Sequence, residues 1–196
     1  MEILEKILGN ASRIKIMRLF LLNKSKGFKN KDIVKRSLVN SSTVRSELNL
    51  LSSVGFVKKK SSISLDWYFN YSFKYASEFE DLLVRSDSLN RETILNIFRK
   101  AGRLKLLILS GAFIKNNDSR VDLLIVGDKL KRGKIDEGIK KLEAEMGVEL
   151  VYAVFEIKEF IYRLSMYDKL VRDILDFDNE IVFQAKELST QTLKKS

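Results

Sequence analysis

The chain has no cysteine and no histidine among its 196 residues. The first absence excludes a disulfide framework, a dithiol redox pair and a thiolate zinc site. The second removes the commonest general base and the commonest metal ligand. Ser-His-Asp hydrolysis and Cys-His catalysis are thereby excluded, and no metal or cofactor is expected. Long hydrophobic runs are missing too. No apolar stretch reaches the roughly 18–20 residues of a membrane span. The opening "MEILEKILGN" carries acids where a signal peptide needs basic residues. The expectation is a cytoplasmic protein without a membrane partner.

What is present is positive charge, unevenly placed. The formal net charge is +10; residues 1–75 hold 15 Lys/Arg against 5 Asp/Glu, and residues 76–196 hold 21 of each. The length suits one or two domains, each with a buried core. A basic block joined to a neutral one suggests a polyanion-binding module attached to a module with another task. A basic solvated surface is the plainer alternative.

Apolar period organises the basic block. "ASRIKIMRLFLLN" places Ile14, Met17 and Leu21 on one helical stripe, with Asn10 or Ser12 as N-cap. "NKDIVKRSL" reads as a short second helix capped by Asn30, burying Ile33 and Val34 and ending in Lys35 and Arg36. Residues 38–41 then lead into "SSTVRSELNLLSSVG", whose inner stripe is Val44, Leu48 and Leu51, with Gly55 at its C-terminal end. On the other side of this helix Ser42, Arg45, Ser46 and Asn49 recur at i, i+3, i+4 and i+7, flanked by Thr43. All can hydrogen-bond and none is acidic. Such side chains are short enough for a helix to approach base edges in a major groove; an ordinary polar helix face is the alternative.

Beyond Gly55, "FVKKK" and the alternation Ile63, Leu65, Trp67, Phe69 predict two strands joined by a tight turn at Ser61-Ser62. Lys58, Lys59 and Lys60 are expected to tip this hairpin, where a wing meets phosphates. The set "LGNASRIKIMRLFLLN", "STVRSELNLLSSVGFV" and "WYFN" resembles the winged helix-turn-helix of ArsR-type transcription regulators over about residues 5–75. The resemblance implies that the third helix reads double-stranded DNA, and that the domain works as a homodimer on a pseudopalindrome. Members that sense metals do so through Cys or His, which this chain lacks.

The neutral block begins with residues 76–102, two helices or one broken helix with Phe79, Leu83, Ile94 and Phe98 facing inward; the resemblance makes this segment a candidate for dimer packing. "RLKLLILSG", "VDLLIVGD" and "VELVYAVFE" read as strands. "KIDEGIKKLEAEMG" is an amphipathic helix between the second and third, and "IKEFIYRLS" and "YDKLVRDILDF" read as further helices. The joint "SGAFIKNNDSRVDLLIV" resembles the glycine loop of the minimal nucleotidyltransferase fold, over about residues 103–155. Active members carry Gly-Ser followed by Asp-x-Asp, whose carboxylates share one side of a strand and bridge two magnesium ions. This chain keeps Gly111 and Asp122 but has Ala112 in place of the serine and Arg120 in place of the first aspartate. A guanidinium repels a cation and suits a phosphate. Glu149 is the candidate third carboxylate.

The expectation is therefore a two-domain α+β or α/β protein. Residues 1–75 form a winged helix-turn-helix, 76–102 a helical linker, 103–185 a nucleotidyltransferase-like mixed sheet with helices, and 186–196 a frayed tail. It is expected to regulate transcription by binding DNA. Its second domain is expected to be catalytically degenerate, a scaffold or a sensor of a nucleotide or other anionic ligand at Gly111, Ala112, Arg120, Asp122 and Glu149. An active nucleotidyltransferase and a scaffold docking on RNA are the rivals from other classes.

Overall fold

The stripe of α2 (Ala11–Leu22) widens in the folded chain: Ile16, Leu19 and Phe20 are buried along with Ile14, Met17 and Leu21. A helix apolar on most sides occupies the middle of a core. The computed structural model describes residues 2–61, 65–85, 89–116 and 118–188 of a mixed α+β protein with a mixed sheet. The chain divides into two compact units, Met1–Leu89 with Lys140–Glu149, and Asn90–Ile139 with Leu150–Ser196.

In the first unit α1 (Glu2–Leu8) precedes α2 and sets Leu4 and Leu8 against its core. This helix has no counterpart in the expected elements. Asn10 caps α2, its side chain accepting from the Ser12 N–H at 2.9 Å. The expected Asn30 cap is corrected. Asn30 is the first residue inside α3 (Asn30–Ser37), and Asp32 reaches back to the Lys29 N–H at 3.2 Å instead. Next come α4 (Ser41–Ser53), the antiparallel strands β1 (Val57–Ser61) and β2 (Leu65–Phe69), and α5 (Ala76–Glu80), which passes into a π-helical turn at Asp81–Arg85. Gly55 takes φ +76 between α4 and β1, a conformation that favours glycine. The expected turn at Ser61-Ser62 runs into residues 62–64, outside the described residues.

Phe20, Phe56 and Phe69 are fully buried in this core, each contributing on the order of 1.5–3 kcal/mol. Arg18 is buried as well: its Nε–H donates to the Leu83 carbonyl at 2.8 Å and its second nitrogen to the Glu145 carbonyl at 3.0 Å. Because Leu83 is buried and Phe79 packs against the same core, the segment expected as a linker is shared out. Residues up to 89 belong with the first unit, and Asn90 onward with the second.

The second unit carries α6 (Arg91–Arg99), β3 (Arg103–Leu109), a 3-10 turn at Gly111–Phe113, β4 (Leu123–Asp128), the start of α7 (Arg132–Met146), β5 (Tyr152–Glu156), α8 (Ile157–Ser165), α9 (Lys169–Asp176) and β6 (Glu180–Gln184). The sheet order is β5-β4-β3-β6; β4 and β5 are parallel and the other pairs antiparallel. β3 and β4 supply the fully buried Leu106 to Leu109 and Leu123 to Val126. This is the apolar run of strands covered on both faces. β6 adds a strand without counterpart among the expected elements. It lies at the sheet edge, half-buried along most of its length, so no clean alternation marks it. Leu188, expected in the frayed tail, is buried in the second core; residues 189–196 lie outside the described residues. Among the described residues no helix is long and apolar enough to cross a membrane.

Asp168 caps α9. Its Oδ1 accepts from the N–H groups of Leu170 and Val171 at 3.0 and 3.2 Å, and its Oδ2 from Arg163 at 3.0 Å. The Val171 N–H, and after it the Arg163 guanidinium, hold the carboxyl below its usual range against the opposing effect of burial. A depressed carboxylate stabilises above its unfolded pKa, about 3.9, and that contribution is lost as pH falls through the folded value. Asp168→Ala is expected to cost about 1 kcal/mol near neutrality. In urea titrations the difference from the parent should shrink below about pH 4.

Candidate nucleic-acid interface

The outward face of α4 is built from its N-terminus. Asn40 caps the helix, its Oδ1 accepting from the Thr43 N–H at 2.9 Å and the Ser42 hydroxyl at 2.7 Å. Val44, Leu48 and Leu51 are buried inward. That leaves Ser42, Arg45, Ser46 and Asn49 exposed, with Thr43 half-buried beside them. Leu50 and Val54 extend the exposed surface with apolar groups.

The acid of α4 lies on the other side. Glu47 is 6 % exposed and accepts from Arg13 Nε–H and from Asn10 Nδ2–H, both at 2.7 Å. A buried carboxylate requires such partners. Its charge is neutralised internally, and the outward ridge carries Arg45 with no acid from its own helix. Sequence period assigned this ridge; it did not identify the role of Asn40, although Asn followed by Ser and Thr is a cap signal.

Lys35 on α3 is exposed, whereas Arg36 is half-buried. The guanidinium of Arg36 lies 5.3 Å from the Phe28 ring centroid and pairs with Glu149 at 2.6 Å. Glu149 thus belongs to the first unit. An exposed ion pair of this kind is worth at most about 1 kcal/mol.

Lys58, Lys59 and Lys60 are all exposed on β1. The register sets Lys59 opposite Trp67, Lys58 opposite Tyr68 and Lys60 opposite Asp66. Side chains alternate along a strand, so Lys58 and Lys60 share one face and Lys59 stands on the other. Lys59 Nζ lies 5.3 Å from the Trp67 ring centroid and Lys60 Nζ 5.2 Å from that of Tyr68. Trp67 Nε1–H donates to Asn30 Oδ1 at 2.8 Å, tying the hairpin to the start of α3.

The glycine loop of the second unit is a closed hydrogen-bonded turn. It brings Gly111, Ala112 and Asp122 together. Asp122 Oδ1 accepts from the Ala112 N–H at 2.7 Å and Oδ2 from the Val151 N–H at 2.8 Å. Its backbone N–H donates to the Val151 carbonyl at 2.7 Å, and its carbonyl accepts from the Ser110 N–H at 2.9 Å. Gly111 has φ +50, and a Cβ there would lie 2.1 Å from Asp122 Oδ1. Arg120 turns to Asp173, Nε to Oδ2 at 2.6 Å. Among the described residues no three acids gather as a metal-binding group. Asp122 thus ties the turn after β3 and the residue before β5 to the start of β4.

No family model, no curated protein and no solved structure matches this chain.

Proposed function

We propose that this chain is a sequence-specific DNA-binding transcription regulator. In this view α2, α3, α4 and the β1–β2 hairpin act as a winged helix-turn-helix, used as a homodimer. α4 lies in the major groove and presents Ser42, Arg45, Ser46 and Asn49 to base edges, with Thr43 near a flanking phosphate. Lys35, Arg36, Lys58, Lys59 and Lys60 meet the phosphate backbone, supplying affinity that is indifferent to sequence. Arg36 exchanges Glu149 for a phosphate at small cost, because exposed pairs are weak. The observation that carries this function is the sorting of charge on α4: Arg45 outside, Glu47 inside and paired with Arg13.

The second unit acts as a catalytically degenerate nucleotidyltransferase-like scaffold. Asp122 gives each carboxylate oxygen to a backbone amide, which favours a structural role for this turn.

Selection of bound fragments from random duplex DNA tests the proposal. An inverted repeat is the expected outcome, because two-fold symmetry doubles the short site that one helix reads. Arg45→Ala is then expected to weaken binding to the selected site by about 1–3 kcal/mol, the worth of a bidentate arginine–guanine contact. It should leave binding to random duplex nearly unchanged. Selection without any enriched sequence, or an Arg45→Ala variant with parental affinity for the enriched site, contradicts the groove assignment.

A further inference from the structure

Tyr68 rests on a glycine and carries a lysine. Phe28 and Trp67 exchange backbone hydrogen bonds, each 2.9 Å, which fixes the strand-like segment before α3 alongside β2. The backbone of Gly27 is thereby held against the ring of Tyr68. A Cβ on Gly27 would stand 2.4 Å from Tyr68 Cζ and 2.6 Å from its hydroxyl oxygen. Gly27 is not among the glycines with positive φ. Space for the ring, not backbone conformation, is what requires a glycine here. Above the same ring stands the ammonium of Lys60, 5.2 Å from its centroid, inside the about 6 Å range of cation–π attraction.

We propose that Gly27 and Tyr68 are positioning residues for a contact between Lys60 and a phosphate. Resting on the DNA-binding function above, this adds that the hairpin offers a lysine held in place before the nucleic acid arrives. Lysine is among the side chains that lose most rotamer freedom when fixed. A ring that holds the ammonium beforehand lowers that loss at the moment of contact. Asp66 stands opposite Lys60 in the ladder and is half-buried, whereas Lys60 is exposed and stays open to a phosphate.

The three single variants change no charge. Tyr68→Leu removes the ring face, Tyr68→Phe keeps it, and Gly27→Ala displaces the ring while leaving Tyr68 and Lys60 intact. Each variant is made in the full chain, alone and with Lys60→Ser, and its fold is checked by urea denaturation. Two readouts are taken: the salt at which the protein leaves a phosphocellulose column, and duplex affinity against salt. Tyr68→Leu and Gly27→Ala are expected to leave the column at lower salt and to weaken duplex binding several-fold, with a salt slope lower by up to about 0.9, one phosphate contact. Tyr68→Phe is expected to match the parent.

In the Lys60→Ser background, Tyr68→Leu should have no further effect, the mark of two residues acting through one contact. Parental elution by Tyr68→Leu, or an effect that persists without Lys60, overturns the proposal. Should Gly27→Ala not fold, the tyrosine series decides alone. Should the parent bind no duplex, the DNA-binding function fails, while the phosphocellulose series still decides whether Tyr68 positions Lys60 for phosphate.

Discussion

Replacing Lys58, Lys59 and Lys60 together by serine is expected to flatten the salt dependence of duplex binding by about 2.7 units of slope. Each phosphate contact contributes about 0.9 to that slope through release of a condensed counterion. Between 0.05 and 0.2 M salt the parent should therefore lose about 40-fold more affinity than the variant. The loss should be the same for a selected site and for random duplex, because phosphate contacts position without reading bases. The basis is the exposure of all three lysines on β1 and their division between the two faces of the hairpin. That division also orders the partial variants: Lys58→Ser with Lys60→Ser empties one face and should account for about two thirds of the change if all three lysines meet phosphates. A triple variant with the parental slope removes the hairpin from the interface, whatever α4 does.

Gly111→Ala is expected to destabilise the second unit by on the order of 3–5 kcal/mol. Two causes add. A left-handed backbone costs a non-glycine residue roughly 1–2 kcal/mol, and Gly111 has φ +50. The new methyl would also overlap Asp122 Oδ1 at 2.1 Å. Oδ1 must then give up the Ala112 amide, a bond to a charged acceptor worth about 1.5–3 kcal/mol. Against a typical total of 5–15 kcal/mol, this is enough to separate the unfolding of the second unit from that of the first in a calorimetric scan.

A double-mutant cycle checks the cause. In an Asp122→Ala background the carboxylate is already gone, so Gly111→Ala should add only the backbone cost, about 1–2 kcal/mol. Equal costs in both backgrounds would mean that Asp122 relaxes freely and the turn is not clamped through its side chain.

Much of the secondary structure was legible because it depends on local period. Val44, Leu48 and Leu51 recur at helical spacing and are buried; Leu106 to Leu109 and Leu123 to Val126 are continuous apolar runs and form the two central strands. Gly55 follows its helix at the expected place with positive φ. Local signals failed where burial is partial or the partner is distant. β6 is a half-exposed edge strand next to an amphipathic helix, and its alternation is too shallow to stand out. Asn30 looked like a cap because Asn before an apolar pair usually is one, but the Trp67 indole, 37 residues away in sequence, claims its oxygen.

The candidate site divides in the same way. Which residues of α4 lie outward follows from the spacing of its apolar residues alone, since a helix repeats every 3.6 residues whatever surrounds it. The pairing of Gly111 with Asp122 was suggested by a motif, but what the aspartate does was not. Two backbone amides, one of them from Val151 just before β5, each take one of its oxygens. Likewise no local rule could set Glu47 against Arg13, Arg36 against Glu149 or Gly27 beneath Tyr68. The amino-acid order by itself determined the periodic faces, the uneven charge and the chemistries ruled out by missing side chains, because these depend only on composition and near-neighbour spacing. The tertiary structure alone decided which charges are spent inside the protein and which remain outside, because a charge finds its partner through space and burial decides whether it must have one.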